Sequence, residues 1–550
     1  MNVARPESLI KKYGEVLAGR QAWENYWQSL HDYFYVDAQD FNKSYSAGSE
    51  LQSDYLFDST TLEAADVLAS GFMNYLTPPT SKWFKLRAKN PRIAENKVVA
   101  DYLEDVASEV YHTLNKSNFY NQIIPSYKSS GVFGTSLLLE EEDTEDEARF
   151  YCMPLKQVCI VEDGRQRVVE YYIEFEYTAF QASLRWGKDK LSKEMQDEIE
   201  GRNPEKKHKF LLFIGLRHNR DVTREDKTNM PVEATWIDVE NKHVVDEGGY
   251  NEFPAMCHRF EKRPFLPWGF SPAMKSLPFA RLLNAIAKTN LRALMKHTDP
   301  SMAMPHNSFI MPLNGNPRAI NYYKKDALGS NPSNAVFPLG VYGNPQLGVD
   351  AIEYYSGKVK SLMFNDVFLA FQGVDKQMNN PEVMERINEK MSMLGPAVGR
   401  YTAEVLNPIV IRTIGILSRR GKLPDPPDEI INDPSYEIDF VAALAQAQRR
   451  SELNSLVTAL TMSGQMAQFA PDVLDKINPD RTVDEIWGIT GAPVQVLRDD
   501  EEIRAIREGR AQAQAQAQEM AMMGAVAQTG KDAAQADLNI AKSKSEGVKN

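Results

Sequence analysis

Seven carboxylates crowd into the eight positions from Glu140 to Glu147, with Thr144 the one interruption. Hard divalent cations take several oxygen ligands at once, so this run is the first place to look for metal-dependent hydrolysis, including a nuclease reaction. Its acids follow one another directly, without the spaced ligands and central glycine of a calcium loop, and it falls between two runs of strand formers. A solvated hairpin tip is the expectation, and no metal site is assigned. The eight histidines are scattered, and the closest pair, His297 and His306, flanks a helix end with no further ligands nearby. Cys152, Cys159 and Cys257 show no CxxC spacing and imply neither a disulfide framework nor a zinc site. A phosphate-binding GxxxxGK loop, a GxGxxG turn after a strand, HExxH and GxSxG are all absent. No catalytic residue and no cofactor is assigned.

A different chemistry is open to Arg281, Lys288, Arg292 and Lys296. At 100° per residue they fall within roughly 80° on one side of a predicted helix, opposite Leu283, Ala287, Leu291 and Leu294. The segment from Ser271 to Thr298 contains no acidic residue. Such a stripe can meet phosphates, pair with acids on a neighbouring subunit, or face water, and the residues leave all three open. The stretch Gly373, Val374, Asp375, Lys376, Gln377, Met378, Asn379 and Asn380 is a second candidate, either a contact loop or a plain hinge.

Long helices must position both candidates. Gly-Phe-Ser-Pro opens the first at Ser271, where the hydroxyl can cap and Pro272 suits a first turn whose N–H has no partner. An insert rich in Pro, Gly and Asn follows from Asp299 to Gly348, with short strands expected at Ser308–Met311 and Ala335–Pro338. A second helix is expected from Asp350 to Phe371, then a loop from Gln372 to Asn380, then a third helix from Pro381 to Arg420. The first two run antiparallel if they share one base. Along the third, Met384, Ile387, Met391, Leu394, Val398, Tyr401 and Val405 step by three and four, a seam for lengthwise packing on another helix. Gly395-Pro396 and Pro408 should bend it.

Upstream, helices are expected over Pro6–Phe34 with a break near Gly19, Ser59–Tyr75 ended by Pro78-Pro79, Asn96–Lys116 and Phe119–Ser129. Strand patterns run at Ser136–Glu140, Phe150–Met153, Val158–Val161, Val168–Phe175, Phe210–Leu216, Ala234–Val239, Val244–Val245 and Met256–Phe260. Asp163-Gly164 signals a hairpin turn, and a helix from Ala182 to Glu200 interrupts the strands. This is an α+β region up to about Gly269 in a chain that is predominantly helical. Beyond the acid- and proline-rich linker Pro424–Pro434, helices are expected over Phe440–Gln468 and Asp499–Gln518, with a cap-and-turn region at Trp487–Pro493. The Ala/Gln-rich end is expected to be mobile over its last 20 residues or so.

The length of 550 residues suits roughly two to four domains. The net charge of −12 is unevenly spread: residues 271–420 carry 17 Lys+Arg against 10 Asp+Glu, leaving the rest at −19. An acidic protein with a basic middle fits a polyanion met locally and disfavours broad wrapping of nucleic acid. Met1 to Leu17 is interrupted by charges and lacks the apolar stretch of a secretory signal, and no run approaches the roughly 20 apolar residues of a membrane span. A chain made soluble in a reducing interior is the expectation.

The ordered set of segments resembles the portal, or head-to-tail connector, proteins of short-tailed tailed phages. The residues that carry it are Trp23 to Tyr35; Leu62 to Leu86, with Leu76-Thr77-Pro78-Pro79 and Lys82-Trp83-Phe84; Ser130 to Glu141, with Gly131 and Gly134; Trp268-Gly269-Phe270-Ser271-Pro272; and Asn379 to Tyr401. It covers about residues 20 to 500. It implies a dodecameric ring at one capsid vertex of the virion, assembled from chains made in the host cytoplasm, through which double-stranded DNA is packaged and ejected. Its implied partners are a terminase packaging motor, major capsid or scaffolding protein and tail adaptor proteins, with no membrane. By analogy, residues 1–270 form a wing, 271–298 and 350–371 two stem helices, and 299–349 a β-containing clip. Residues 372–380 form a channel loop, 381–435 a long wing helix and linker, 436–510 a helical crown and 511–550 a tail. Two other classes compete: a virion assembly or tail adaptor protein without a DNA channel, and a metal-dependent nuclease using the acidic run.

Overall fold

The computed structural model describes residues 4–37, 40–41, 55–94, 96–201, 203–221, 223–224, 226–298, 302–303, 322, 337–338, 345–373, 393–432, 435–440, 456–466, 469, 477–490, 502–513, 516, 531 and 540. The chain divides into two compact units, Met1–Ala443 and Leu444–Asn550.

The first unit opens with α1 (Ala4–Phe34), which is continuous through Gly19, where a break was expected. A glycine in a helix costs only about 1 kcal/mol, and the apolar spacing continues on both sides of it. Upstream, Tyr13 packs among Cys159, Tyr172, Leu211, Phe213 and Ile237. Downstream, Trp27, Leu30 and Phe34 are fully buried. Between them the buried Arg20 donates to the carbonyls of Val158 (2.5 Å) and Leu155 (3.3 Å), so the helix is tied down on both sides of the glycine.

Next come α2 (Thr60–Leu76), β1 (Phe84–Ala88), α3 (Lys97–Lys116) and α4 (Phe119–Phe133). Asn96 caps α3 by accepting from the Val98 amide (3.0 Å). Gly134, at φ 80°, ends α4 in the left-handed conformation that glycine adopts without a Cβ penalty. Then β2 (Thr135–Asp143) and β3 (Glu147–Met153) form a hairpin, β4 (Val158–Glu162) and β5 (Val168–Thr178) a second. The turn of the second is built around Asp163, whose carboxylate accepts from the amides of Arg165 and Arg167 (both 2.8 Å), and Gln166 is its left-handed residue.

The single helix expected over Ala182–Glu200 is two: α5 (Ala179–Trp186), opened by a Thr178–Gln181 capping box, and α6 (Lys193–Glu200). Gly187, at φ 86°, ends the first. β6 (Lys207–Leu216), β7 (Val232–Asp238) and β8 (His243–Tyr250) continue from β4 and β5 as an antiparallel meander of five strands in chain order, and β9 (Ala255–Arg259) pairs with β2 to give the order β3-β2-β9.

Two of the aromatic groups in the core join distant segments. Trp83 stands against Phe84, Tyr111 and Phe119, with Phe119 on Phe150. Trp27 stands against Trp268 and Phe41, and Phe41 against Phe133. Large aromatic side chains supply much buried area at little rotamer cost, which suits an interior assembled from segments far apart in sequence.

From Ser271 the helices are α7 (Pro272–Thr298), α8 (Pro345–Leu362), α9 (Asn365–Gly373) and α10, whose described part is 393–419. In the insert between α7 and α8, β10 (Met302–Ala303) pairs antiparallel with β11 (Phe337–Pro338), while Ser308–Met311 lies outside the described residues. The helix expected over Asp350–Phe371 begins five residues earlier, because Pro345 opens it in the helix-start position rather than closing a turn. It also breaks at Phe364, which adopts φ 60° and lets α9 lay Phe368 against Gly71 and Phe72 of α2.

Inside α10, Thr402–Leu406 is π-helical. Pro408 has no N–H for the Glu404 carbonyl, and the Asn407 N–H reaches back five residues to Thr402. Finally β12 (Tyr436–Phe440) pairs with β1, so Phe440 lies in a strand where the start of a helix was expected. Burial of β1 and β12 against each other overrode a segment whose apolar spacing fits either element.

In the second unit, 456–466, Pro479–Thr490 and 502–513 are helical, and Arg507 holds Asp480 with two bonds (2.5 and 2.8 Å). Trp487 is inside a helix rather than in the turn expected there. Among the described residues no helix is long and apolar enough to cross a membrane.

Candidate functional site

The α7/α8 pair is an antiparallel helical hairpin: Phe279 stacks on Tyr355 (6.5 Å between centroids), and further along, Gly348 admits the Asn290 side chain. The start of α7 is locked into the body. Ser271 Oγ donates to the Val132 carbonyl (2.6 Å) and accepts from the Met274 amide (3.0 Å), performing the expected cap. Burial is then lost along the helix. Leu283 and Ala287 are covered, whereas Leu291, Leu294 and Met295 are exposed. Among the described residues nothing covers these side chains over the last two turns.

Of the predicted basic stripe, Arg281, Arg292 and Lys296 are exposed and Lys288 is half-buried, its ammonium 5.1 Å from the centre of the Phe57 ring. None of the four has an ion-pair partner among the described residues, and the structure thus brings the stripe together without neutralising it. Across the hairpin, Asp350 and Glu353 of α8 are also exposed and form no ion pair among the described residues. Asp350 accepts from Gln346 alone (3.2 Å). The register set by Phe279–Tyr355 and Asn290–Gly348 puts these acids between the heights of Arg281 and Lys288. Among the described residues the chain therefore displays unpaired charge of both signs at one level, together with exposed apolar side chains.

Of the candidate loop, Gly373 ends α9, while Val374, Asp375, Lys376, Gln377, Met378, Asn379 and Asn380 lie outside the described residues. So do Met384, Ile387 and Met391 of the predicted seam. Leu394, Tyr401 and Val405 are buried as the seam requires.

The acidic run is only in part a solvated tip. It does include the exposed β2/β3 turn at Thr144 and Glu145, as expected of a hairpin tip, but it also reaches into the strands, and its ends Glu140 and Glu147 are buried. Glu140 is fully buried and accepts from Thr413 Oγ1 (3.0 Å), while the buried Arg412 donates from Nε to the Glu140 carbonyl (3.1 Å) and stands 4.0 Å from its carboxylate. At 4.0 Å the guanidinium makes no direct hydrogen bond to the carboxyl group. Burial raises the Glu140 carboxyl to about 8, against the lowering influence of Arg412 and Thr413. Glu141 pairs with Arg185 (3.0 Å) and Glu142 with Arg419 (2.9 Å); Asp143 accepts the amides of Glu145 and Asp146; Glu147 meets Lys116 and Lys422. Acids engaged in this way tie the hairpin to α10 and α5 instead of converging on a cation.

Three further bonds fasten α10 to the body, and sequence reading missed them. Tyr401 meets Ser126 (2.9 Å). His258, on β9, bonds Ser130 (2.5 Å) and packs its ring, tilted by 54°, against that of Tyr401. Burial lowers that imidazole to about 3, so it is neutral. Glu404, on the π-helical turn, takes the Arg259 amide (2.9 Å) and guanidinium (2.5 Å), and Arg259 also binds Glu162. Burial nonetheless raises the Glu404 carboxyl. The signal for such bonds was the lone charges, Glu404 and Arg412, set in an otherwise apolar helical stripe.

The chain belongs to the family of bacteriophage head to tail connecting proteins, whose model matches residues 7–497. Among its relatives are the portal protein of Salmonella phage epsilon15, 28% identical over 537 residues (96% of this chain and 94% of that protein), and the probable portal protein of Bordetella phage BPP-1, 27% identical over 525 residues (95% and 94%). The resemblance to phage portal proteins read from the sequence is borne out.

Proposed function

We propose that this chain is a portal: a ring subunit, in the virion, of the channel through which double-stranded DNA is packaged into a capsid and ejected from it. The observation that carries the reading is the match over nearly the whole chain to the connecting-protein family and its two portal relatives. The α7/α8 hairpin supports it. Exposed apolar turns and unpaired charges of both signs at one height suit a heterologous interface, in which one flank of a subunit fits the other flank of the next and the series closes into a ring. Twelve copies is the number the resemblance implies.

On this reading residues 1–270 are the wing, 271–298 and 350–371 the two stem helices, 299–349 the clip, 372–380 the channel loop, 381–435 the wing helix and linker, 436–510 the crown and 511–550 the tail. The terminase motor and tail adaptors meet the clip, and capsid or scaffolding protein meets the wing. A conduit must let the duplex slide both ways, so contacts to it are weak and blind to sequence, and the net negative charge repels DNA that would otherwise stick. No chemistry is needed.

Electron microscopy of the purified protein tests this: rings with a bore that admits duplex DNA are expected. A protein that stays monomeric at every ionic strength and in the mature particle overturns it. Closed rings without such a bore would favour an adaptor.

A further inference from the structure

We propose that Phe265 is a docking knob for a second copy of this chain, seated in the assembly on the exposed α8 face around Gly357 of the adjacent subunit. The inference rests on the ring reading given above and adds a contact that locks one subunit to the next.

The loop from Glu261 to Phe270 holds one side chain out. Its ends are closed by two backbone bonds, from the Glu261 amide to the Phe270 carbonyl (3.0 Å) and from the Phe270 amide to the Glu261 carbonyl (2.8 Å). Pro264 and Phe265 are the central residues of a turn in which the Leu266 amide donates to the Arg263 carbonyl (3.3 Å). Phe265 has φ 60°, a left-handed value for which the second central position of a turn normally uses glycine or asparagine. A bulky side chain is disfavoured there. Lys262, its side chain only 9% exposed, donates to Glu162 (3.0 Å) and to the Leu266 carbonyl, and the Arg263 guanidinium lies over the Phe270 ring (3.6 Å to its centre). The turn is thus pinned from both sides, and its tip, Phe265, is 87% exposed. A strained aromatic held out into water is ordered before any partner arrives, which is how interface anchors save the cost of ordering on binding.

The α8 helix offers the complementary feature. Gly357 stands inside it, where glycine is a poor helix former, and among the described residues an added Cβ would meet nothing within 4 Å. One turn back, Glu353 and Tyr354 border this bare patch, and both are exposed. Glu353 forms no ion pair among the described residues, while the Lys358 ammonium is 5.6 Å from the centre of the Tyr354 ring.

Knob and patch agree in charge and in height. Burial raises the Tyr26 phenol, and Arg281 and Arg263 both oppose that shift, so the two cations lie on the Tyr26 side of α7. Both are exposed, and neither has an ion-pair partner among the described residues. Tyr26 donates to the carbonyl of Met274 (3.4 Å), five residues before Phe279, and Gly357 is two residues past Tyr355, on which Phe279 stacks. At 1.5 Å per residue, Met274 and Gly357 differ by only about 5 Å along the hairpin. A basic aromatic knob and an acid-bordered gap at nearly one level are the two halves of a heterologous contact, each copy giving the first and receiving with the second.

Full-length protein would be compared with Phe265→Gly and Gly357→Leu. Both changes suit the single subunit, since glycine relieves the left-handed residue and leucine favours helix in open space. Melting temperatures of dissociated subunits should be unchanged or higher. The concentration at which half the chains are in rings, read by mass photometry, should rise about tenfold or more in each variant. The double variant should rise no further, because both changes remove one contact. A short bismaleimide should link subunits into a ladder in Phe265→Cys/Gly357→Cys and in neither single variant. Wild-type chains that form no ring under any condition defeat the portal reading, and this contact with it. Where wild-type rings form, unchanged half-points in both variants or a missing ladder overturn the knob and leave that reading standing. A lower melting temperature of Phe265→Gly does the same, because it would give the phenyl group a role inside its own subunit.

Discussion

Gly134 and Gly269 pack backbone against backbone: a Cβ on either would run into the main chain of the other. The contact joins the end of α4 to the approach to α7, and the bonds around it run both ways, from the Gly269 amide to Thr135 Oγ1 (2.9 Å) and from the Phe260 amide to the Gly134 carbonyl (2.9 Å). The hairpin is thus rooted in the body through two glycines 135 positions apart in the chain.

Alanine at either glycine should cost about 2–4 kcal/mol of stability, since the obstacle is backbone and Gly134 also has φ 80°. Gly164→Ala, at an exposed turn with open space around it, should stay within about 0.5 kcal/mol. Urea unfolding of the three variants decides it, and equal midpoints would refute the close-packing argument.

Glu140 should give the protein a pH-dependent stability. Its folded-state carboxyl titrates near 8 and an unfolded one near 4.5, so folding takes up a proton between these values. Stability should therefore fall as pH rises through that window, by at most about 1.4 kcal/mol per pH unit from this group. Glu140→Gln, still able to accept from Thr413, should lose that component. Unfolding curves at pH 5, 7 and 9 check it; identical slopes for variant and wild type would show that the group does not titrate there.

Glu404→Ala leaves the buried Arg259 with Glu162 as its remaining acid and should cost about 3 kcal/mol. Glu176→Ala, which ends an exposed pair 4.0 Å from Lys207, should cost less than about 0.5 kcal/mol. Comparable losses would mean that the α10 anchor is no stronger than a surface pair.

If the stem flanks of neighbouring subunits meet through their unpaired charges, Glu353→Lys should reduce the fraction of protein in rings, and adding Arg281→Glu should restore part of it. Ring counts at low salt are the readout. Unchanged rings in the single variant would direct the search to a different flank.

Removing Lys376 to Asn379 should leave ring formation intact and impair packaging or retention of DNA. Normal full heads from that variant would discard the channel-loop assignment.

The helical hairpin is legible in the sequence because Ser271-Pro272 and the apolar three- and four-residue steps are local signals, and local signals survive folding. The five-strand meander is legible for the same reason, each strand being followed by its own partner. What is not legible depends on distance in the chain. Phe440 pairs with Phe84, and Glu140 is buried by Arg412, so a strand reads as a helix and a buried acid as a wet one. The helix after the break at Phe364 likewise seats Phe368 on Gly71, of a different helix.

The π-helical turn in α10 carries a consequence for the segment before it. One extra residue in that turn offsets the angular phase of everything upstream by about 100° relative to the half that follows. Ile409 and Arg412 on one side and Leu394 and Tyr401 on the other are all held by the body, so this single irregular turn is what lets both sides seat at once. Restoring regular geometry there, by deleting one residue and replacing Pro408, would turn the upstream half like a dial while the downstream half stayed put.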